Sequence, residues 1–157
     1  MNHAQNYKSG LTLVEIIVVI AIIGLILILG LFISFDSYRR YIFRSERTTL
    51  VSVLSRARSR AMNNIFETPH GVCYDQSSKK YVIFRGNTYS PTNPTNESVS
   101  SNQSAIINPV PNSFLCSVGP GLIFSQLSGN SSTMDIIVTE SNASSTISIN
   151  PEGTINW

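Results

Sequence analysis

The sequence predicts an α+β fold, a long amino-terminal helix packed on a carboxy-terminal antiparallel β-sheet. Three observations predict it. Residues 16–35 carry no charge and are apolar but for Ser34 and two glycines. Leu50, Leu54, Ala57 and Ala61 then recur at spacings of four, three and four, with Phe43 on the same side, which is the period of an amphipathic helix. After Pro69 the chain breaks into short β-prone segments separated by Pro, Gly, Asn and Ser.

The apolar run reads as a membrane segment, because twenty helical residues rise about 30 Å, the hydrocarbon thickness of a bilayer. It is longer than the roughly 7–15 apolar residues of a secretory signal, and Ser34-Phe35-Asp36-Ser37 behind it is a poor cleavage site. In front of it stand a short polar leader ending in Gly10 and, five positions on, a single carboxylate, Glu15. An ionisable group entering a membrane edge costs up to a few kcal/mol if unpaired, so Glu15 is read as functional. The competing reading is that it snorkels to the headgroups and suits the positive end of a helix dipole.

No proline precedes Pro69 and no glycine falls between Gly30 and Gly71, so the helix is expected to continue to about Asn64. Its first half is apolar all round and its second half has one apolar face. Val72-Cys73-Tyr74 and Tyr81-Val82-Ile83-Phe84 flank the polar turn Gln76-Ser77-Ser78-Lys79 as a hairpin. Further strands are expected at 105–107, 114–118, 122–124, 134–139 and 146–149. Between them and the hairpin, residues 86–104 are almost wholly Ser, Thr, Asn and Pro, too poor in apolar groups to offset ordering entropy, and read as a mobile connecting loop.

Charge is scarce and uneven. Residues 39–60 hold seven arginines against Glu46, whereas beyond Arg85 there is no Lys or Arg and Glu97, Asp135, Glu140 and Glu152 set the sign. Arg40, Arg44, Arg47 and Arg58 form a row beside the apolar stripe, a basic patch that would attract anionic headgroups, acidic residues on neighbours or, less favoured, nucleic acid. Catalysis finds no support. His3 and His70 cannot build a metal site or a relay, no serine sits in a Gly-x-Ser-x-Gly elbow, and Gly119-Pro120-Gly121 is a turn rather than a phosphate loop. No cofactor and no metal are expected. Cys73 and Cys116 are too far apart for a redox motif; a structural disulfide and two buried free thiols both remain open. Ser, Thr and Asn fill 32 of the 72 positions in 86–157, which favours a neutral, hydrogen-bonding outer surface over a catalytic pocket.

Gly10, Leu11, Thr12-Leu13-Val14-Glu15 and the apolar run together resemble the class III signal of type IV prepilins and pseudopilins. That pattern is a glycine, a cut, an apolar residue, Thr-Leu-x-Glu and some twenty apolar residues. The resemblance implies that a membrane aspartyl prepilin peptidase cuts between Gly10 and Leu11 and methylates the new amine of Leu11. It further implies that Glu15 pairs with the terminal amine of a neighbouring subunit inside a helical filament, where removing either partner would strand a buried charge. The implied organisation is a leader at 1–10, a transmembrane and filament-core helix at 11–35, an amphipathic helix at 36–66 and a β-rich domain at 67–157. Three departures are evident: Leu11 replaces the commoner phenylalanine, the leader has only Lys8 as a certain positive charge, and the proline found in many members midway along the membrane helix is absent near Gly30 and Phe32.

The positive-inside rule alone would put the arginine-rich flank in the cytoplasm. The prepilin resemblance implies the reverse: a single-pass inner-membrane precursor whose large domain lies outside the cytoplasm, then a pilus or pseudopilus. Leu50 to Ala61 followed by Gly71-Val72-Cys73-Tyr74, with the tail Ile147-Ser148-Ile149-Asn150-Pro151-Glu152-Gly153-Thr154-Ile155, also resembles the minor pilins of the general secretion H and fimbrial T type. Some of the latter bind DNA through a Gly-Arg-x-Arg tail. Here the tail reads Gly153-Thr154-Ile155-Asn156, so that site is not carried over. The expected function is a minor pilin or pseudopilin, a structural subunit of a type IV pilus or a type II secretion pseudopilus. Its alternatives are a DNA-uptake or adhesion minor pilin and a single-pass anchored domain that never assembles.

Overall fold

The structure, a computed structural model, describes residue 10 and residues 12–101, 106–110, 112–140 and 143–157, with the backbone alone for 31–36, 106–110 and 140. The chain divides into two compact units, Met1–Tyr38 and Arg39–Trp157. Helix α1 runs Leu13–Met62 and is followed by eight strands. These are β1 (His70–Asp75), β2 (Lys80–Arg85), β3 (Glu97–Ser100), β4 (Ile106–Val110), β5 (Leu122–Phe124), β6 (Met134–Glu140), β7 (Ala143–Ile149) and β8 (Ile155–Asn156).

The strands form two four-stranded sheets rather than the single sheet expected, in the orders β3-β2-β1-β5 and β4-β6-β7-β8. All ladder pairings are antiparallel. The helical stripe is what they cover. Leu50, Leu54, Ala57 and Ala61 are all fully buried in one cluster with Val72, Tyr74, Tyr81 and Ile83 of the first sheet and Ile136, Val138, Ile147 and Ile149 of the second. Large-to-small changes at such sites cost about 2–5 kcal/mol, so this stripe anchors the second unit.

Alternation along β1 and β2 gives the first sheet a second buried face. Val72, Tyr74, Tyr81 and Ile83 point to the helix, while Cys73, Val82 and Phe84 pack on the far side with Tyr89, Cys116 and Ile123. Gly71 is required there, because a Cβ would lie 2.2 Å from the Phe84 ring. The β1–β2 turn is held by Asp75, whose carboxylate accepts the Ser77 N–H at 3.0 Å and the Ser77 and Ser78 hydroxyls at 2.7 Å. Those hydroxyls, Ser77 first, hold its carboxyl below the usual range.

Four expectations are corrected. The helix stops at Met62, short of Asn64, because Asn64 adopts the left-handed conformation (φ 53°) and the Leu127 N–H takes the Ala61 carbonyl at 2.9 Å. Residues 114–118 are not a strand: a 3-10 turn, Asn112–Phe114, buries Phe114, and Leu115 then makes one parallel bridge to Tyr74. The Cys116 N–H donates to the Tyr74 carbonyl at 3.0 Å, which brings Cys116 beside Cys73, and the two form a disulfide. The polar stretch 86–104 is not wholly loop, since it contributes β3, paired with β2 from Lys80↔Ser100 to Ile83↔Glu97. The strand expected at 105–107 runs instead from Ile106 through Pro109 to Val110, with Ala105 outside the described residues. Proline is admitted because β4 is an edge strand paired only with β6.

Candidate processing and assembly site

Gly10 lies ahead of the helix and is exposed, and a Cβ added to it would meet nothing within 4 Å. The chain's own packing therefore does not demand glycine there. Leu11 lies outside the described residues. Thr12 opens α1: its Oγ1 accepts the Glu15 N–H and its carbonyl accepts the Ile16 N–H, each at 3.3 Å. Threonine at the cap with Glu three positions on is the Thr-x-x-Glu order of a capping box, and it puts an exposed carboxylate at the positive end of the helix. Glu15 thus has a local place as well as any intermolecular one. The spacing of Thr12 and Glu15 ahead of an apolar run was the signal that could have found this cap.

Beyond Glu15 the helix is apolar as far as Gly30. Leu13–Gly30 has a mean hydropathy of 3.2 and none of it is buried within the protein. Among the described residues it is the one helix segment long and apolar enough to cross a membrane.

The arginines divide by role. Of the expected row, Arg40 and Arg44 are exposed, and Arg47 and Arg58 are half-buried. Arg58 is tied inward, its Nη2 donating to the Glu152 carbonyl at 3.0 Å. The sequence reading passed over Arg56 and Arg60, yet both hold Glu97: Arg60 Nη2 lies 2.5 Å from one carboxylate oxygen and Arg56 pairs with the other. Arg60 above all, by hydrogen bonding, keeps the Glu97 carboxyl below its ordinary range. It also missed Glu46, which is buried on α1 and accepts the Tyr81 hydroxyl. No spacing rule exposes such a pair, whose members are 35 residues apart. Among the described residues no group of His, Cys, Asp and Glu is arranged to hold a metal ion.

The family model for the prokaryotic N-terminal methylation motif matches residues 5–31, the interval that contains Gly10, the Thr12 cap, Glu15 and most of the apolar run. The chain carries a prokaryotic N-terminal methylation motif. No curated protein matches this chain. Among solved structures, it is similar to the minor pseudopilin EpsH from the type 2 secretion system of Vibrio cholerae. That similarity stands at 12% sequence identity and a TM-score of 0.49, over 69% of this chain and 90% of the other.

Proposed function

We propose that the protein is made as an inner-membrane precursor, is cut between Gly10 and Leu11 by a prepilin peptidase, and enters a type IV pilus or type II secretion pseudopilus as a minor, non-enzymatic subunit. The observation that carries the reading is the methylation motif in register with the helix start. Its glycine is unconstrained by the fold, its cap is Thr12, and its carboxylate follows at the third helical position.

The cut would leave the cap intact, since Thr12 lies on the mature side. Leu11 alone would stand ahead of it, carrying a methylated, positively charged amine. In a filament that amine meets the Glu15 of a neighbour, and the pair sets the register between subunits. The apolar face of Leu13–Gly30, fully uncovered within the chain, then packs on other subunits instead of lipid.

The test is an intact mass with amino-terminal fragmentation, on protein expressed with and without a prepilin peptidase. A peptidase-dependent species that begins at Leu11 with one extra methyl supports the reading. Retention of residues 1–10, or a cut behind the apolar run, overturns it.

A further inference from the structure

We propose that the exposed arginine pair Arg40 and Arg44, with Tyr41, is a docking face for the phosphates of anionic phospholipid headgroups at the non-cytoplasmic surface of the membrane. The proposal rests on the reading of the apolar run as a membrane segment.

The structure sorts the arginines of α1 into those with work inside the fold and those without. Arg56 and Arg60 are ion-paired with Glu97, and Arg58 donates to a backbone carbonyl. Arg40 and Arg44 are exposed, and neither guanidinium has an ion pair or hydrogen bond among the described residues. Spaced by four, they share one helix face, and Arg47, half-buried with its Nε unpartnered, continues that face one turn on. Beside them Tyr41 is 70% exposed, and with Arg44, Ser45, Thr48 and Thr49 it lines a shallow groove.

Two arguments commit this face to lipid. First, position: Arg40 and Arg44 stand five and nine residues beyond Phe35, the last residue of the charge-free run, so a short tether holds them near the headgroup level. Long basic side chains and tyrosine are the groups that settle at that level, with their stems in apolar surroundings and their polar ends among the headgroups. Second, charge: in the sequence from 36 to 44 three arginines oppose the single Asp36. A guanidinium presents a planar fork of donors that matches two phosphate oxygens at once. These arginines sit on the flank that the positive-inside rule would leave poor in them, and an interfacial role on that side accounts for their presence.

The test is native mass spectrometry of the full chain released from detergent micelles, titrated with phosphatidylglycerol or with phosphatidylcholine of the same acyl chains. The expected result is preferential retention of phosphatidylglycerol, falling about fivefold for each arginine removed and roughly 25-fold in Arg40→Gln/Arg44→Gln. Lys80→Gln, which removes one positive charge elsewhere, should leave the preference unchanged. Equal retention of the two lipids overturns the proposal. So does an equal loss in Lys80→Gln, which would make the effect one of net charge, and so does competition by inorganic phosphate alone at millimolar concentration, which would make this a free-anion site. The same spectra report the mass of the amino terminus. A chain that is cut after Gly10 yet shows no lipid preference sinks this proposal and leaves the subunit reading standing.

Discussion

The Tyr81 hydroxyl donates a hydrogen bond to the Glu46 carboxylate, and both groups are buried where α1 crosses the first sheet. Glu46 is only 2% exposed, and Tyr81 is wholly inaccessible. A carboxylate in such a place is costly without a donor, whereas with one it fixes which turn of the helix lies over which strand. The apolar stripe alone would tolerate sliding, because Leu50, Leu54, Ala57 and Ala61 present similar surfaces. One polar contact 35 residues apart in sequence removes that freedom.

Tyr81→Phe should therefore cost more than the loss of one hydroxyl, about 1–3 kcal/mol, because it takes a donor from a buried carboxylate. Glu46→Gln, which keeps an acceptor, should cost less. Burial, then the Glu46 charge, raises the Tyr81 phenol far above its ordinary value. A raised value means that the unfolded chain releases this proton first, so the stabilisation is complete below about pH 10 and is lost as pH rises beyond it. Urea midpoints of the full chain in micelles between pH 8 and 11 check both points: the wild type should lose stability more steeply than Tyr81→Phe.

His70 predicts a slope at the other end. It is 1% exposed, with Nδ1 3.1 Å from the Thr68 carbonyl and Nε2 buried without a partner. Burial above all lowers its affinity for a proton, and the charges of Arg60 and Arg85 act in the same direction, against the Thr68 bond. A lowered folded value means that the unfolded chain takes up the proton first. Stability should be full above about pH 6.5 and should fall as pH drops below it. His70→Gln is expected to flatten the change in melting temperature between pH 7.5 and 5.5; an unchanged slope would assign it to other groups.

Glu97 should govern the order of β3. The strand offers only Val99 to the core, so its attachment depends on the ladder with β2 and on Arg56 and Arg60. With its carboxyl held below the ordinary range by Arg60, the contribution is present above about pH 4.3 and is lost as pH falls through the lower folded value. Hydrogen exchange at residues 97–100, corrected for intrinsic rates, should accelerate several-fold in Glu97→Gln and on acidification of the wild type. The variant itself should show no further acid effect.

Thr12 and Glu15 can be separated. Thr12→Ala should weaken the helix start by about 1 kcal/mol and speed amide exchange in the first turn without stopping the cut after Gly10. Glu15→Ala should also be cut, yet the mature chain should fail to enter filaments, as read from sheared-surface fractions. Normal assembly of Glu15→Ala would instead overturn the pairing of this carboxylate with a neighbour's amine, and intact function without any filament would mark the protein as an anchored domain.

What could be read in advance follows from how local each signal is. The apolar run, the stripe from Leu50 to Ala61 and the hairpin around Gln76-Ser77-Ser78-Lys79 all announce themselves within a few residues, by period or turn chemistry. The strand β3 did not, because Glu-Ser-Val-Ser has one apolar residue and its order comes from arginines 37 and 41 positions away. Phe114 to Val118 misled in the opposite sense. Its apolar residues suggested a strand, but Phe114 fills the core from a 3-10 turn and only Leu115 reaches a neighbouring strand. The division into two sheets was hidden too, since β4 finds β6 across a gap that no local pattern spans. In the amino-terminal site the prepilin pattern drew attention to Glu15 as a partner for another subunit and away from the shorter-range fact that Thr12 caps its amide.

The disulfide between Cys73 and Cys116 has a mechanical meaning. It closes a covalent ring of 43 residues in sequence separation, and that ring contains β2, β3 and β4. A pull applied to the two ends of the chain would travel through β1, cross the sulfur bridge and leave by β5, so the enclosed strands would carry none of the tension. The length that a stretched chain could pay out is shortened by the whole of that ring. Because β4 belongs to the second sheet and β2 to the first, one edge of the second sheet is leashed to the first even when every hydrogen bond between strands has been broken.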